Sequence, residues 1–166
     1  MKTNQVRCCV FQLLLFGLLT GGCSRALNVS SSDPICKKSV EVHLVGVNRF
    51  EKDLWETMSM TDYWTPGNQL RQSAKEYTYV IQFGRGPCEQ TLDKKDPIRG
   101  IWKKRKVEFM FVLADLPGVY EDSTGNADAR RLRLPAVGSK RWGLRKKKID
   151  IRIEESNIVS LTVPSK

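Results

Sequence analysis

The chain has 166 residues, of which 40% are hydrophobic, 28% charged and 8% aromatic, and its formal charge is +10. This is the composition of a globular domain; it excludes collagen, a coiled-coil rod and wholesale disorder, and it allows one domain. One histidine and five cysteines exclude a histidine-rich metal site and a Ser-His-Asp site with a histidine to spare.

Residues 1–22 read as a signal peptide. Lys2 and Arg7 give a positive start, residues 8–19 form an apolar run broken only by Gln12, and Thr20-Gly21-Gly22 are small. The run is too short to cross a bilayer, which takes about 20 apolar residues. Leu19-Thr20-Gly21-Gly22-Cys23 resembles a bacterial lipobox. Small residues suit a narrow peptidase site, and the Cys23 thiolate is the nucleophile that takes up diacylglycerol. Cys23 is thus expected as a lipidated first residue; the competing reading is a plain secretory peptide with a chance cysteine. A two-chain thioether with an amide-linked acyl chain exceeds the two-signal threshold for stable anchoring. Ser24, not aspartate, follows the cysteine and points to the outer membrane, on its periplasmic face. No cofactor is expected beyond the covalent lipid on Cys23. Asn28-Val29-Ser30 matches a glycosylation sequon, which beside a lipobox reads as chance.

Removal of residues 1–22 takes away Lys2 and Arg7 and no acid, so the charge falls from +10 to +8. With Cys23 acylated, Cys36 and Cys88 remain as a disulfide pair in an oxidising compartment, the alternative being two reduced thiols. The bridge would close a loop of about 50 residues, worth about 3–4 kcal/mol of chain entropy. Residues 23–38 are polar, with four serines and Pro34, and read as a lipidated tether. The folded domain is then expected over residues 39–163.

That domain reads as strands. Residues 39–47 (SVEVHLVGV) alternate, and residues 50–60 place Phe50, Leu54, Trp55 and Met58 at helical spacing. Residues 76–83 (EYTYVIQF) are rich in β-branched and aromatic side chains. Residues 106–114 (KVEFMFVLA) turn wholly apolar, as a central strand does. Residues 130–134 alternate with Leu132 and Leu134 inward, residues 148–153 (KIDIRI) alternate strictly, and residues 157–163 close the domain after a turn at 154–157. Pro87, Pro97, Pro117 and Pro135 fall between strands. The fold class is mainly β: a small β-sandwich with one or two short helical insertions.

Positive charge is concentrated in residues 94–106 and 130–152, which enclose Trp102 and Trp142. Lys103, Lys104, Arg105 and Lys106, with Arg145, Lys146, Lys147 and Lys148, are the candidate basic surface. Basic residues interleaved with aromatics mark nucleic-acid binders, but a secretory signal argues against that partner. The remaining readings are a surface facing anionic lipid, a docking face for an acidic protein, and solvated loop charge.

No catalytic or metal-ligating set emerges, and the chain is not expected to be an enzyme. Gly84-Arg85-Gly86-Pro87 lacks a donor that a phosphate cradle would use. His43 lies on an alternating strand with no nucleophile beside it. Asp115, Glu121, Asp122 and Asp128 do not follow a calcium-loop spacing. Trp55, Tyr63 and Trp64 are candidate partner contacts, the last two before a Pro66-Gly67 turn; the alternative is that they fold back onto the core.

The arrangement resembles TssJ, the outer-membrane lipoprotein family of type VI secretion. Val40-Glu41-Val42-His43-Leu44 looks like its first strand, followed by a Phe/Leu-rich connection. Phe111-Val112-Leu113-Ala114-Asp115-Leu116 resembles its central strand. Ile149-Asp150-Ile151-Arg152-Ile153 and Asn157-Ile158-Val159-Ser160-Leu161 resemble its closing hairpin. The cysteine pair and the basic run at residues 141–148 depart from that pattern. The resemblance implies a lipid-anchored sandwich that docks an inner-membrane secretion subunit, with the partner surface within residues 48–75. The runner-up function is a secreted or lipid-anchored binding module for polyanions.

Overall fold

Two strands buried on both faces organise one sheet. The computed structural model describes residues 25–143 and 147–165. β2 (Glu41–Val47) lies between β3 (Thr78–Gln82) and β5 (Phe109–Ala114), and β6 (Arg131–Pro135) pairs with the far side of β5, all antiparallel. Val45 stands opposite Phe111 and Leu44 opposite Val112. His43, Val45, Phe111 and Leu113 therefore share one face, and Val42, Leu44, Met110 and Val112 the other. Helices cover the first face: α2 (Lys52–Thr57), α3 (Met60–Trp64) and α4 (Gln69–Ser73). The side chains of Ser59 and Asn68 cap α3 and α4 by accepting the amides of Asp62 and Arg71.

The second sheet faces the other side. β1 (Ala26–Ser31) pairs antiparallel with β4 (Glu89–Leu92) and parallel with β7 (Lys148–Ile153), and β8 (Ile158–Ser160) extends the sheet beyond β7. Leu27, Val29, Ile149, Ile151 and Ile153 are fully buried and join the core. α1 (Asp33–Cys36) follows β1, and Cys36 is disulfide-bonded to Cys88 with Cα atoms 5.0 Å apart. α5 (Pro97–Lys104) starts on a capping Asp96 and drives Trp102 against Gly46 of β2.

The mainly-β sandwich is as expected, but its start is not. Residues placed in a tether form β1 and α1, and β1 is an interior strand of its sheet. Its sequence, ALNVSS, is polar enough to read as linker. Asn28 nevertheless has partners on both sides: its side chain donates to Asp150 and accepts from Thr91. A polar residue in an interior strand is legible only with its neighbours present. β4, four residues long, also lies outside the expected strands, and the described residues hold eight strands rather than six. The helix expected over 50–60 is shorter and a second follows it. Trp55 is buried, whereas Phe50 is 91% exposed and Leu54 53% exposed. Leu132 points inward as expected but is only half-buried, because β6 is an edge strand. Pro135 ends β6 rather than falling beyond it, and Pro97 opens α5. Strand β7 and the turn after it match the reading, with the Glu154 amide donating to the Asn157 carbonyl. The signal peptide, Cys23, Arg145 and Lys146 lie outside the described residues.

Candidate functional site

The aromatic residues between β2 and β3 form a buried cluster over β2. Trp55 and Tyr63 are fully buried, with ring centroids 6.0 Å apart. The Tyr63 hydroxyl is 2.6 Å from His43 Nδ1, and His43 Nε2 is 2.6 Å from a Glu41 carboxylate oxygen. A neutral imidazole protonated on Nε2 satisfies both contacts. Burial pushes the His43 pKa down, against the opposing pull of Glu41. Burial raises the Glu41 pKa, but the donors from His43 and Arg71 outweigh it and hold the carboxyl below its usual range. Arg71 donates to the same Glu41 oxygen at 2.6 Å, and its guanidinium stands 5.0 Å over the half-buried Trp64 ring. Trp55 and Tyr63 thus belong to the core, and the exposed apolar side chains of this connection are Phe50 and Leu54. They sit one helical turn apart, a spacing that pointed inward in sequence; in the fold, Trp55 takes the inward position.

The basic stretches divide into structural and free groups. Arg130 is ion-paired with Asp122 and with the buried Asp128. Arg131 is buried and donates to the carbonyls of Trp55, Met58, Ser123 and Gly125. Arg133 pairs with Glu56. Arg105 binds both Glu51 oxygens and lies 3.6 Å over Tyr77. Lys148 pairs with Asp150 and Glu89. Trp102 and Trp142 are buried, and each indole donates to a backbone carbonyl, Tyr77 and Ala136 respectively. Neither offers a ring for stacking on a ligand. Lys103, Lys104, Lys106 and Lys147 remain exposed.

Several of the free groups converge on one groove of about 710 Å³ between the C-terminal end of α5 and the chain after β6. Its floor is apolar: Val107, Phe109, Pro135 and Val137, with an edge of Trp102. Its rim is cationic: Arg99, Lys103, Lys106 and Arg141, against one acid, Glu108. Lys106 adopts φ 54°, the left-handed turn that ends α5, and its amide donates to the Lys103 carbonyl. An apolar floor under a cationic rim fits an amphiphilic anion.

The groove lies where the described chain begins. Arg99 donates to the Arg25 carbonyl at 3.0 Å, and Arg25 itself donates to the carbonyls of Val137, Ser139 and Gly143. The Ala26 amide donates to the Lys147 carbonyl. The Cys36–Cys88 disulfide, the turn at 154–157 and Arg85 lie at the opposite end, because β1 and β7 run there in parallel.

No family model and no curated protein matches this sequence. Solved structures do match in fold. A chain of the structure described as "Type VI membrane complex" aligns with a TM-score of 0.53 at 13% identity, covering 82% of this chain and 96% of that one. A chain of "T6SS protein TssM C-terminal domain (869-1107) from EAEC" gives 0.55 at 12% identity, with 82% and 99% covered. Serratia marcescens Lip, described as a membrane bound component of the Type VI Secretion System, gives 0.49 at 10% identity, with 82% and 95% covered. At these identities the likeness is one of fold, and the small β-sandwich implied by the sequence is present.

Proposed function

We propose that this chain is an envelope component of a type VI secretion membrane complex, anchored by lipid on Cys23 to the outer membrane and working by docking a protein partner. The observation that supports it best is the fold shared, over 82% of this chain, with chains of type VI membrane-complex structures. The lipobox-like run ending in Cys23 supports the anchor. The partner is an inner-membrane secretion subunit. Docking needs no catalytic group, and the one histidine is engaged by Tyr63 and Glu41. The connection at 48–75 offers that partner Phe50 and Leu54 as apolar anchors.

The test combines mass spectrometry of the mature N-terminus with affinity purification from the native cell. The wild type is expected with an acylated Cys23 in the outer-membrane fraction and with the inner-membrane type VI subunit bound. Cys23→Ser should become soluble, and Phe50→Asp with Leu54→Asp should lose the subunit while keeping the anchor. An unmodified N-terminus without that subunit overturns the reading. The basic groove favours a second reading, a secreted binder of soluble polyanions, which predicts an unmodified chain whose binding falls steeply with salt.

A further inference from the structure

We propose that the basic groove is a membrane-apposed site for anionic phospholipid headgroups, so that the domain lies directly on the lipid surface instead of hanging from a tether. The orientation rests on the lipid-anchor reading above; the headgroup site is testable without it.

Cys23 precedes Arg25 by two residues, and two residues span at most about 7 Å. Arg25 is buried, and its carbonyl is held by Arg99 of the groove rim. A lipid on Cys23 therefore holds Arg25 within about 7 Å of the lipidated residue and brings the Arg99 edge of the groove to roughly the Debye length of about 8–10 Å from the headgroups. A 16-residue tether over residues 23–38 would have let the domain roam about 50 Å, where the same charge is screened. The folding of residues 26–36 into β1 and α1 is what changes the meaning of the basic stretch.

Charge and shape agree with the distance. Arg99, Lys103, Lys106 and Arg141 rim the groove, and Glu108 is the one acid among the residues lining it, with Asp96 and Asp93 near Arg99. Lys104 and Lys147 are exposed beside it. The ion-paired arginines 105, 130 and 133 are engaged elsewhere, and Arg99 is held by the Arg25 and Leu92 carbonyls, so the cations the groove presents to a ligand are the exposed Lys103, Lys106 and Arg141. The apolar floor of Val107, Phe109 and Pro135 suits the glycerol and upper acyl region of a phospholipid, which a soluble polyanion lacks.

The experiment uses the mature chain carrying Cys23→Ser, which removes the anchor. Sedimentation is measured with vesicles of phosphatidylcholine alone and with 30% phosphatidylglycerol. The wild-type domain is expected to bind the anionic vesicles and not the neutral ones. Neutralising Lys103, Lys106 and Arg141 to glutamine should weaken binding about 100-fold, since each basic residue at an anionic surface contributes about fivefold. Neutralising Lys37, Lys38 and Arg85, at the opposite end, changes the charge equally and should have little effect. Equal loss from both triples, equal binding to neutral vesicles, or tighter binding to polyglutamate than to anionic vesicles overturns the proposal. Anionic-vesicle binding with an unacylated Cys23 in cells sustains the headgroup site and removes the anchor reading. An acylated Cys23 with no vesicle binding does the reverse.

Discussion

Gly46→Ala tests how the groove is built. A Cβ at position 46 would lie 2.4, 2.6 and 2.8 Å from Cδ1, Nε1 and Cγ of Trp102. Ordinary contact needs about 3.5 Å or more, so the ring must retreat by about 1 Å. Trp102 is nearly buried, and its indole donates to the Tyr77 carbonyl at 2.8 Å. Overpacking costs about 1–3 kcal/mol, and weakening that hydrogen bond about 1 kcal/mol more. The expected loss is therefore about 2–4 kcal/mol, read as a lower urea midpoint with an unchanged m-value. Trp102 also contributes an edge to the groove, so anionic-vesicle affinity should fall with it. Trp102→Leu vacates the space; in the double variant the alanine should cost at least 1 kcal/mol less than in the wild-type background. A Gly46→Ala domain within 0.5 kcal/mol of wild type, or a double variant in which the two costs simply add, refutes the packing argument.

Replacing Cys36 and Cys88 together by alanine should remove about 4 kcal/mol of chain-entropy stabilisation, as expected for a separation of 52 residues; an unchanged urea midpoint would show the bridge carries none of it. His43 is the protein's one histidine, so its proton NMR titration is unambiguous. Its folded pKa is depressed by burial, so the unfolded chain binds the extra proton first, and stability should decline as pH falls below about 6.5. An imidazole titrating at or above 6.5 in the folded protein contradicts this. Asp122, held down to about 2 by Ser59, Thr61 and Arg130 despite some burial, stabilises above the unfolded carboxyl range and loses that contribution as pH drops from about 4 towards 2. Arg131→Met would strand four backbone carbonyls, from Trp55, Met58, Ser123 and Gly125. A loss of about 3–5 kcal/mol is expected, measured by urea unfolding; a loss under 1 kcal/mol would mean water replaces the guanidinium.

Strands with one buried face or wholly apolar runs were legible from the chain alone. Residues 148–153 alternate because Ile149, Ile151 and Ile153 face the core while Lys148 and Arg152 do not. Residues 109–114 are apolar throughout because β5 is covered on both sides. The pairing of Cys36 with Cys88 was also legible from cysteine count and compartment.

Local pattern was silent wherever a residue's role depends on a distant partner. Asn28 is at home in an interior strand only because Asp150 and Thr91 flank it. Trp55 and Tyr63 look like surface anchors until β2 and β5 supply the faces they cover. The arginines of residues 130–133 carry the same charge as the lysines of α5, yet the first are spent on carboxylates and carbonyls and the second stay in solvent. Composition and periodicity determined the fold class and the total charge, since both follow from which side chains water rejects and which it accepts. Long-range pairing decided where the domain begins and which cations remain free, because burial and hydrogen bonding between residues over 100 positions apart leave no mark on either segment alone.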